Sequence, residues 1–214
     1  TRPVQTLKVF VSFLNDREMR MDEATTERVL QDSMFELDNL SAYLGKLKDM
    51  VCADERETLL RPSAFNLREL VEKVVRLTNI PAGKKVSFST AFPPDMPDLT
   101  ADPVHVANVL SNLIENAIKY SGEEVNIDIV VLWNQQGVEL TVSDNGFGIA
   151  PDERRKVFEK FYRSSHLPDK QIPGIGLGLS YVRQIVEAHH GSVSLRSELG
   201  EGTRITINLP TTAL

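Results

Sequence analysis

Leu30, Leu37, Leu44 and Val51 recur every seven residues, with Leu40 and Leu47 between them, and past the break at Glu57 to Ser63 the pattern changes. A seven-residue apolar repeat is the seam of a helix that packs lengthwise on another helix. Upstream, Val4, Leu7, Val11 and Leu14 step by three and four along another amphipathic segment, and Asn15 to Asp22 is a polar break between the two. Two such helices joined by a short turn are too thin to bury their own seams. Pairing with a second copy into a four-helix bundle is the expected remedy. A single amphipathic helix lying on the rest of the chain stays open as the alternative. The reading divides the chain into a helical hairpin, residues 1–58, and a larger domain, residues 59–214.

The larger domain mixes helical and strand periods. Asn66 with Glu69 reads as a capping box and Phe65 with Leu70 as a hydrophobic staple, opening a helix that ends near Asn79. Lys84 to Phe92 alternates like a strand and stops at Pro93-Pro94. Asp102 before Pro103 is an N-cap with proline at the first helical position, and that helix runs to about Tyr120. "VNIDIVVLW" and "GVELTVSD" form a strand pair around Gln135-Gln136-Gly137. A helix from about Asp152, a second from the glycine segment to about His190, and the strands "SVSLRS" and "TRITINL" complete the domain.

Composition excludes several function classes. A net charge of -6 and a pI near 5.3 are wrong for a sequence-independent nucleic-acid binder, which carries a basic stripe. One cysteine, Cys52, rules out an internal disulfide framework and fits a reducing compartment. No run approaches the ~20 apolar residues needed to span a bilayer. His105, His166, His189 and His190 show no zinc-like spacing with Cys52.

Four short stretches carry chemistry. In "LSNLIENAIKYS", Leu110, Leu113, Ile114 and Ala117 make an apolar face. Asn112, Asn116, Lys119 and Tyr120 make a second, polar stripe. A solvated helix face usually carries Glu and Lys rather than two amides and an aromatic. Neutral amide oxygens with a lysine suit a magnesium ion and the phosphates it bridges. In "VSDNGFGIAPDE", Asn145-Gly146 is by itself a hairpin signal, yet Gly148, Ile149 and a helix start follow instead of a partner strand. That leaves Asp144 at a strand end with glycines clearing space beside it. A carboxylate there can accept from the exocyclic amine of adenine, whereas guanine presents a carbonyl. "PGIGLGL" places Gly174, Gly176 and Gly178 at alternate positions before a helix, preceded by a polar, proline-broken stretch (Arg163 to Pro173) that reads as a lid. It is neither a P-loop nor a dinucleotide fingerprint, since no Gly-Lys-Ser/Thr follows and no strand precedes it. "ELGEGTRI", with Gly200 and Gly202, reads on its own as a hairpin turn.

Taken in order, these stretches resemble the ATP-binding domain of sensor histidine kinases, in the Bergerat-type ATPase superfamily. The asparagine box is "NLIENAIKYS", followed by the glycine box "DNGFGI", the phenylalanine box "FEKFYR" (Phe158 to Arg163), a second glycine box "GIGLGL" and "GEGT". The resemblance runs from about Phe65 to Leu209. It implies an α+β fold, an α/β sandwich whose mixed sheet is covered on one face by helices, and it implies ATP and Mg²⁺ as ligands. Residue by residue, it implies Asn116, helped by Asn112, as magnesium ligands. Lys119 and Arg163 would neutralise phosphate oxygens, Tyr120 would pack near the nucleoside, and Asp144 would select adenine. Gly146, Gly148 and Ile149 would line the base, with Thr203 beside them. Gly174, Gly176, Leu177, Gly178 and Leu179 would present backbone to the phosphates. Phe158 and Phe161 would anchor the base of the lid.

The N-terminal hairpin then resembles the dimerisation and phosphotransfer bundle of the same kinases, implying a homodimer, a response-regulator receiver domain as partner and transfer of the γ-phosphoryl to a histidine. The family's phosphoacceptor motif, H-E-x-x-x-P, is absent from this sequence. Pro3, followed by Val4, matches its proline, and counting back five places runs off the chain. The expectation is a chain that begins just after its phosphoacceptor and cannot phosphorylate itself. Arg2 stands where the family often has Thr or Asn, residues linked to phosphatase activity. His189-His190 ends a helix, where capping or solvation accounts for both. The chain is expected to be cytoplasmic, in a parent anchored in a bacterial inner membrane through segments outside it. ATPases in the manner of gyrase, Hsp90 or MutL are the alternative. Those carry a glutamate base where Asn112 stands and have no phenylalanine box. A non-catalytic dimerising scaffold is a further alternative.

Overall fold

The structure, a computed structural model, describes residues 60–134, 136–166, 172 and 174–210. The chain divides into two units, Thr1–Glu57 and Thr58–Leu214, and every described residue belongs to the second. The expected hairpin, its heptad seam and Arg2 lie outside the described residues.

The elements run β1 (Ser63–Phe65), α1 (Leu67–Leu77), β2 (Lys85–Ala91), β3 (Leu99–Ala101), α2 (Pro103–Lys119), β4 (Glu124–Asn134), β5 (Gly137–Asp144), α3 (Gly178–Ala188), β6 (Ser192–Glu198) and β7 (Gly202–Pro210). Two strands, β1 and β3, pair antiparallel as a small ribbon. The other five form a mixed sheet in the order β2-β4-β5-β7-β6, with only β2 and β4 parallel.

Alternation along β4 decides which face is covered. Val125, Ile127, Ile129 and Val131 are buried while Asn126 and Asp128 between them are exposed. Val138, Leu140 and Val142 of β5 and Ile205, Ile207 and Leu209 of β7 extend the same apolar face. Against it pack Leu113, Ile114 and Ala117 of α2 and Val182, Ile185 and Val186 of α3, with Leu67 and Val71 of α1 in the same core. Each such side chain contributes about 1.5–3 kcal/mol by leaving water. The opposite face stays polar. There Thr141 and Thr206 share a hydroxyl hydrogen bond of 2.9 Å, and Arg204 Nε donates to Ser143 Oγ at 3.0 Å.

Helix starts follow their local chemistry. Asn66 Oδ1 accepts from the Glu69 N–H at 3.0 Å, as the capping box predicts. Asp102 is buried, and its Oδ1 accepts from the Val104 and His105 N–H groups while Oδ2 accepts from Arg61 N–H at 2.8 Å. Burial alone pushes this carboxyl up, but the backbone donors of Arg61, His105 and Val104 and the nearby His105 hold it below its ordinary value. At the other end of α2, Lys84 Nζ donates to the carbonyl and hydroxyl of Ser121, at 2.9 and 3.0 Å, and to Ile118 O. A cation there complements the negative helix end.

Two expectations need correction. No regular helix begins at Asp152. Residues 151–155 form turns, and Lys156–Phe158 is a single 3-10 turn. The acids that signal a helix start are used differently, because the Glu153 side chain points inward to accept hydrogen bonds from the segment after Phe161. His189 caps α3 as expected but is not solvated. It is buried, its Nδ1 lies 2.8 Å from Ile185 O and its Nε2 accepts from Asp102 N–H at 3.0 Å. That pattern places the proton on Nδ1, and burial lowers the pKa, so the neutral ring ties the end of α3 to the start of α2. His190 alone is exposed, with φ 57°.

Candidate nucleotide site

The first end of the site is the loop leaving β5. Asp144 ends that strand, and its Oδ1 accepts from Gly146 N–H at 2.8 Å and Thr203 N–H at 3.3 Å. Both of these bonds fall on one oxygen, so Oδ2 remains for a ligand donor. Burial pushes the carboxyl up to about 6, outweighing the two backbone donors that lower it. The glycines beside it are required by close backbone approach. A Cβ on Gly146 would meet Tyr120 O at 2.5 Å, and Phe147 N–H donates to that same carbonyl at 2.8 Å. Gly148 has φ 71°, and a Cβ there would lie 1.9 Å from Glu198 O.

"GEGT" belongs to this loop and is more than a turn. The β5–β7 register pairs Asp144 with Thr203, and a Cβ on Gly202 would sit 1.9 Å from Asp144 O. Gly200 N–H donates to Phe147 O at 2.8 Å. Ser197, buried and unforeseen in the sequence, joins the pieces. Its Oγ donates to Gly202 O at 2.7 Å, accepts from Ile149 N–H at 2.8 Å and lies 3.0 Å from Thr203 Oγ1.

The second end is the start of α3 against α2. A Cβ on Gly178 would lie 3.2 Å from Asn112 Oδ1 and 3.4 Å from Asn116 Nδ2, so both amides face that glycine. Asn112 Nδ2 donates to Asn108 O at 2.8 Å, which turns its oxygen outward. Leu177 occupies the N-cap position with no side-chain cap, and Tyr181 N–H makes the first α-type bond to Leu177 O at 3.0 Å. The N–H groups of Gly178 and Leu179 therefore have no intrahelical acceptor and point toward the positive end of the helix dipole. Lys119 Nζ lies against the Gly174 backbone and 4.7 Å from the centre of the Tyr120 ring.

One helix links the two ends. Tyr120, whose carbonyl meets the Asp144 loop, follows Asn116 by about 6 Å of helix and Asn112 by about 12 Å. That separation matches a nucleoside triphosphate laid along α2, with an acceptor for the base at one end and amides, an ammonium and free helix N–H groups at the other.

The segment between the ends is anchored from beneath. Glu153 is only 1% exposed, and its carboxylate accepts from Tyr162 OH at 3.0 Å, from Ser165 N–H and Oγ at 2.9 Å each, and from Ser164 Oγ. His166 Nδ1 approaches to 3.3 Å. Burial would raise this carboxyl, but the Ser164, Ser165 and Tyr162 donors bring it down to about 2. Arg163, between two of those donors, is exposed, and its Nη2 donates to Ile172 O. Phe158 is buried, beneath the Arg183 guanidinium at 5.1 Å. Phe161 is 64% exposed at φ 66°, and its N–H ties the segment to the glycine box by donating to Gly176 O at 2.9 Å. Of the expected lid, residues 167–171 and 173 lie outside the described residues.

Residues 101–213 match the family described as histidine kinase-, DNA gyrase B-, and HSP90-like ATPases. Among curated relatives, the sensor protein RprX of Bacteroides fragilis (strain YCH46) is 29% identical over 97% of this chain and 41% of its own length. The adaptive-response sensory kinase SasA of Synechococcus sp. (strain JA-2-3B'a(2-13)) is 31% identical over 91% of this chain and 52% of its own. The chain thus spans about half the length of these relatives, or less. Among solved structures, full-length ShkA in complex with AMPPNP aligns with a TM-score of 0.74 at 20% identity, over 99% of this chain and 47% of that one. Histidine kinase ThkA in complex with the response regulator TrrA aligns with a TM-score of 0.69 at 21% identity, over 99% and 59%. With the mixed sheet, the one-sided helical layer and the glycine-lined site in place, the chain belongs to the histidine kinase-, DNA gyrase B- and HSP90-like ATPases, and the proteins it resembles include a sensor protein, a sensory kinase and a histidine kinase.

Proposed function

We propose that this chain is the catalytic part of a sensor histidine kinase: it binds Mg-ATP between Asp144 and the α3 N-terminus and presents the γ-phosphoryl to a histidine, for relay to an aspartate on a receiver domain. The observation that carries this is Gly178 lying against the Asn112 and Asn116 amides at an uncapped helix start, one helix away from the half-buried Asp144. Asp144 Oδ2 accepts from the adenine amine and leaves guanine, which offers a carbonyl there, without a partner. The Gly178 and Leu179 N–H groups and Lys119 hold phosphate oxygens. Arg163, Gly174 and Gly176 flank them. The Asn116 and Asn112 amide oxygens, of the hard, neutral kind that suits magnesium, would hold that ion, which would supply positive charge to offset the charge developing on the phosphates. Among the described residues no group of three or more His, Cys, Asp or Glu offers a competing site.

Transfer to a side chain is favoured over hydrolysis by the identity of residue 112. A gyrase-like ATPase needs a general base to activate water, and an amide whose Nδ2 is already bonded to Asn108 O cannot take a proton. The rest of the reading is part of the same proposal, supported by relatives named as a sensor protein and a sensory kinase and by a neighbour solved with a response regulator. It comprises dimerisation through residues 1–58, a receiver-domain partner, and a membrane-anchored parent whose cytoplasmic part is this chain. Among the described residues no helix is long and apolar enough to cross a membrane. The sequence contains no H-E-x-x-x-P motif, and no label is accordingly expected on this chain when it is incubated alone. The test incubates it with γ-labelled ATP and a separate hairpin carrying that motif. Acid-labile, base-stable label on the hairpin is the expected result; steady release of free phosphate with no labelled protein would refute the kinase reading.

A further inference from the structure

We infer that Glu153 is a positioning residue for Arg163, clamping the chain on both sides of that arginine so that its guanidinium is held toward the phosphates. The inference rests on the proposed role of Arg163 in phosphate binding. Tyr162 and Ser164, the immediate neighbours of Arg163, both donate side-chain hydrogen bonds to the Glu153 carboxylate. Ser165 adds its N–H and hydroxyl at 2.9 Å each, so consecutive residues after Arg163 converge on one buried anion. On the far side, Phe161 N–H is bound to Gly176 O, and a Cβ on Gly176 would meet Tyr162 O at 2.4 Å. Residues 161–165 are thus held from beneath by Glu153 and from above by the glycine box, while the Arg163 side chain stays exposed with Nη2 on Ile172 O.

The arrangement is hard to explain as packing alone. A buried carboxylate is costly unless charge-assisted donors satisfy it, and an apolar residue at 153 would fill the space without that demand. What only an anion with several lone pairs can do is gather four donors from three residues of an irregular segment into one fixed geometry. The segment has no regular secondary structure of its own to set the direction of Arg163. Glu153 supplies that direction.

A double-mutant cycle on the whole chain separates the possibilities, with ATP, ADP and adenosine titrated by calorimetry in the presence of Mg²⁺. Arg163→Ala is expected to weaken ATP binding about tenfold, as loss of one charge-assisted contact does, and to leave adenosine unaffected. Glu153→Gln keeps the shape but loses charge and acceptor capacity, and is expected to weaken ATP about fivefold, again with adenosine unchanged. In the Arg163→Ala background the Glu153→Gln effect should vanish. Tyr162→Phe removes a single donor and serves if Glu153→Gln does not fold; a smaller loss, likewise absorbed by Arg163→Ala, is expected. Equal loss for ATP and adenosine, or a Glu153 effect that persists without Arg163, would overturn the positioning role and leave Glu153 a structural residue. If Arg163→Ala itself leaves ATP affinity unchanged, the failure belongs to the phosphate-binding assignment.

Discussion

Replacing Asp144 by asparagine should stabilise the protein while removing its preference for ATP. The carboxyl is raised from 3.8 to about 6, chiefly by burial, and at pH 7 that rise corresponds to about 3 kcal/mol of folding energy lost to keep the group ionised. Asparagine has no charge to desolvate, and its Oδ1 can still accept from the Gly146 and Thr203 N–H groups. Its NH2 is left half-satisfied, so a net gain of about 2 kcal/mol is reasonable, or roughly 4–8 °C in Tm for a chain of this size. The sign has a pH signature. Because the folded pKa is raised, the carboxyl's contribution is most favourable below its ordinary value and is lost as pH rises through about 6. The stability gap between variant and wild type should therefore open between about pH 4 and 6 and hold steady above. Binding moves the other way. The amide NH2 would face the adenine amine, donor against donor, costing about 3 kcal/mol or more and roughly 100-fold in ATP affinity, with the preference over GTP gone. Wild-type ATP affinity should also fall as pH drops below about 6, and the variant should lack that dependence. Calorimetric unfolding and ATP and GTP titrations from pH 4.5 to 8 measure both (about one titration per half unit suffices to resolve the midpoint). A variant that is less stable, or that binds ATP as tightly as wild type, would refute the reasoning.

Other residues separate folding from binding in different ways. Gly178→Ala removes a glycine from a helix start, worth about 0.5–1 kcal/mol of stability, but its Cβ at 3.2 Å from Asn112 Oδ1 pushes on both amides. Unfolding should change little or improve, while Mg-ATP affinity falls several-fold. Asp102→Ala strips the cap of α2 and the partner of Arg61. A loss of about 1–2 kcal/mol is expected in denaturant unfolding, with ATP affinity preserved, since the cap lies at the far end of α2. Wild-type stability from this group is present above the ordinary aspartate range and is lost as pH falls through its lowered value. His189→Phe leaves Asp102 N–H without its acceptor and should cost about 1–3 kcal/mol in the same assay.

What could be read from the amino-acid sequence were the features whose partners lie within a few residues or recur with a period. Asn66 caps Glu69 and Asp102 caps His105 within one helical turn. β4 alternates because one face of the sheet is covered. Motif order pointed to the candidate residues, since Asp144 ends β5 and the asparagines lie on α2, separate elements that meet where Phe147 N–H donates to Tyr120 O. Long-range pairings stayed hidden. "GEGT" looks like a plain turn until the strand register sets Thr203 opposite Asp144. Ser197 reads as an ordinary strand residue, though it ties Ile149 to Gly202. Glu153 reads as a helix-start acid because nothing local announces Tyr162, Ser164 and Ser165 as its donors. Phe161, read as an anchor for the base of the lid, is exposed at φ 66°, and its N–H on Gly176 O is a backbone bond that no residue identity announces.

The most direct measurement of the central claim is a crystal structure of this chain with Mg²⁺ and a non-hydrolysable ATP analogue. The adenine amine is expected on Asp144 Oδ2, the triphosphate along α2 toward Gly178, and the metal on Asn116. A base seated away from Asp144, or phosphates lying clear of the Asn112–Asn116–Gly178 cluster, would contradict it.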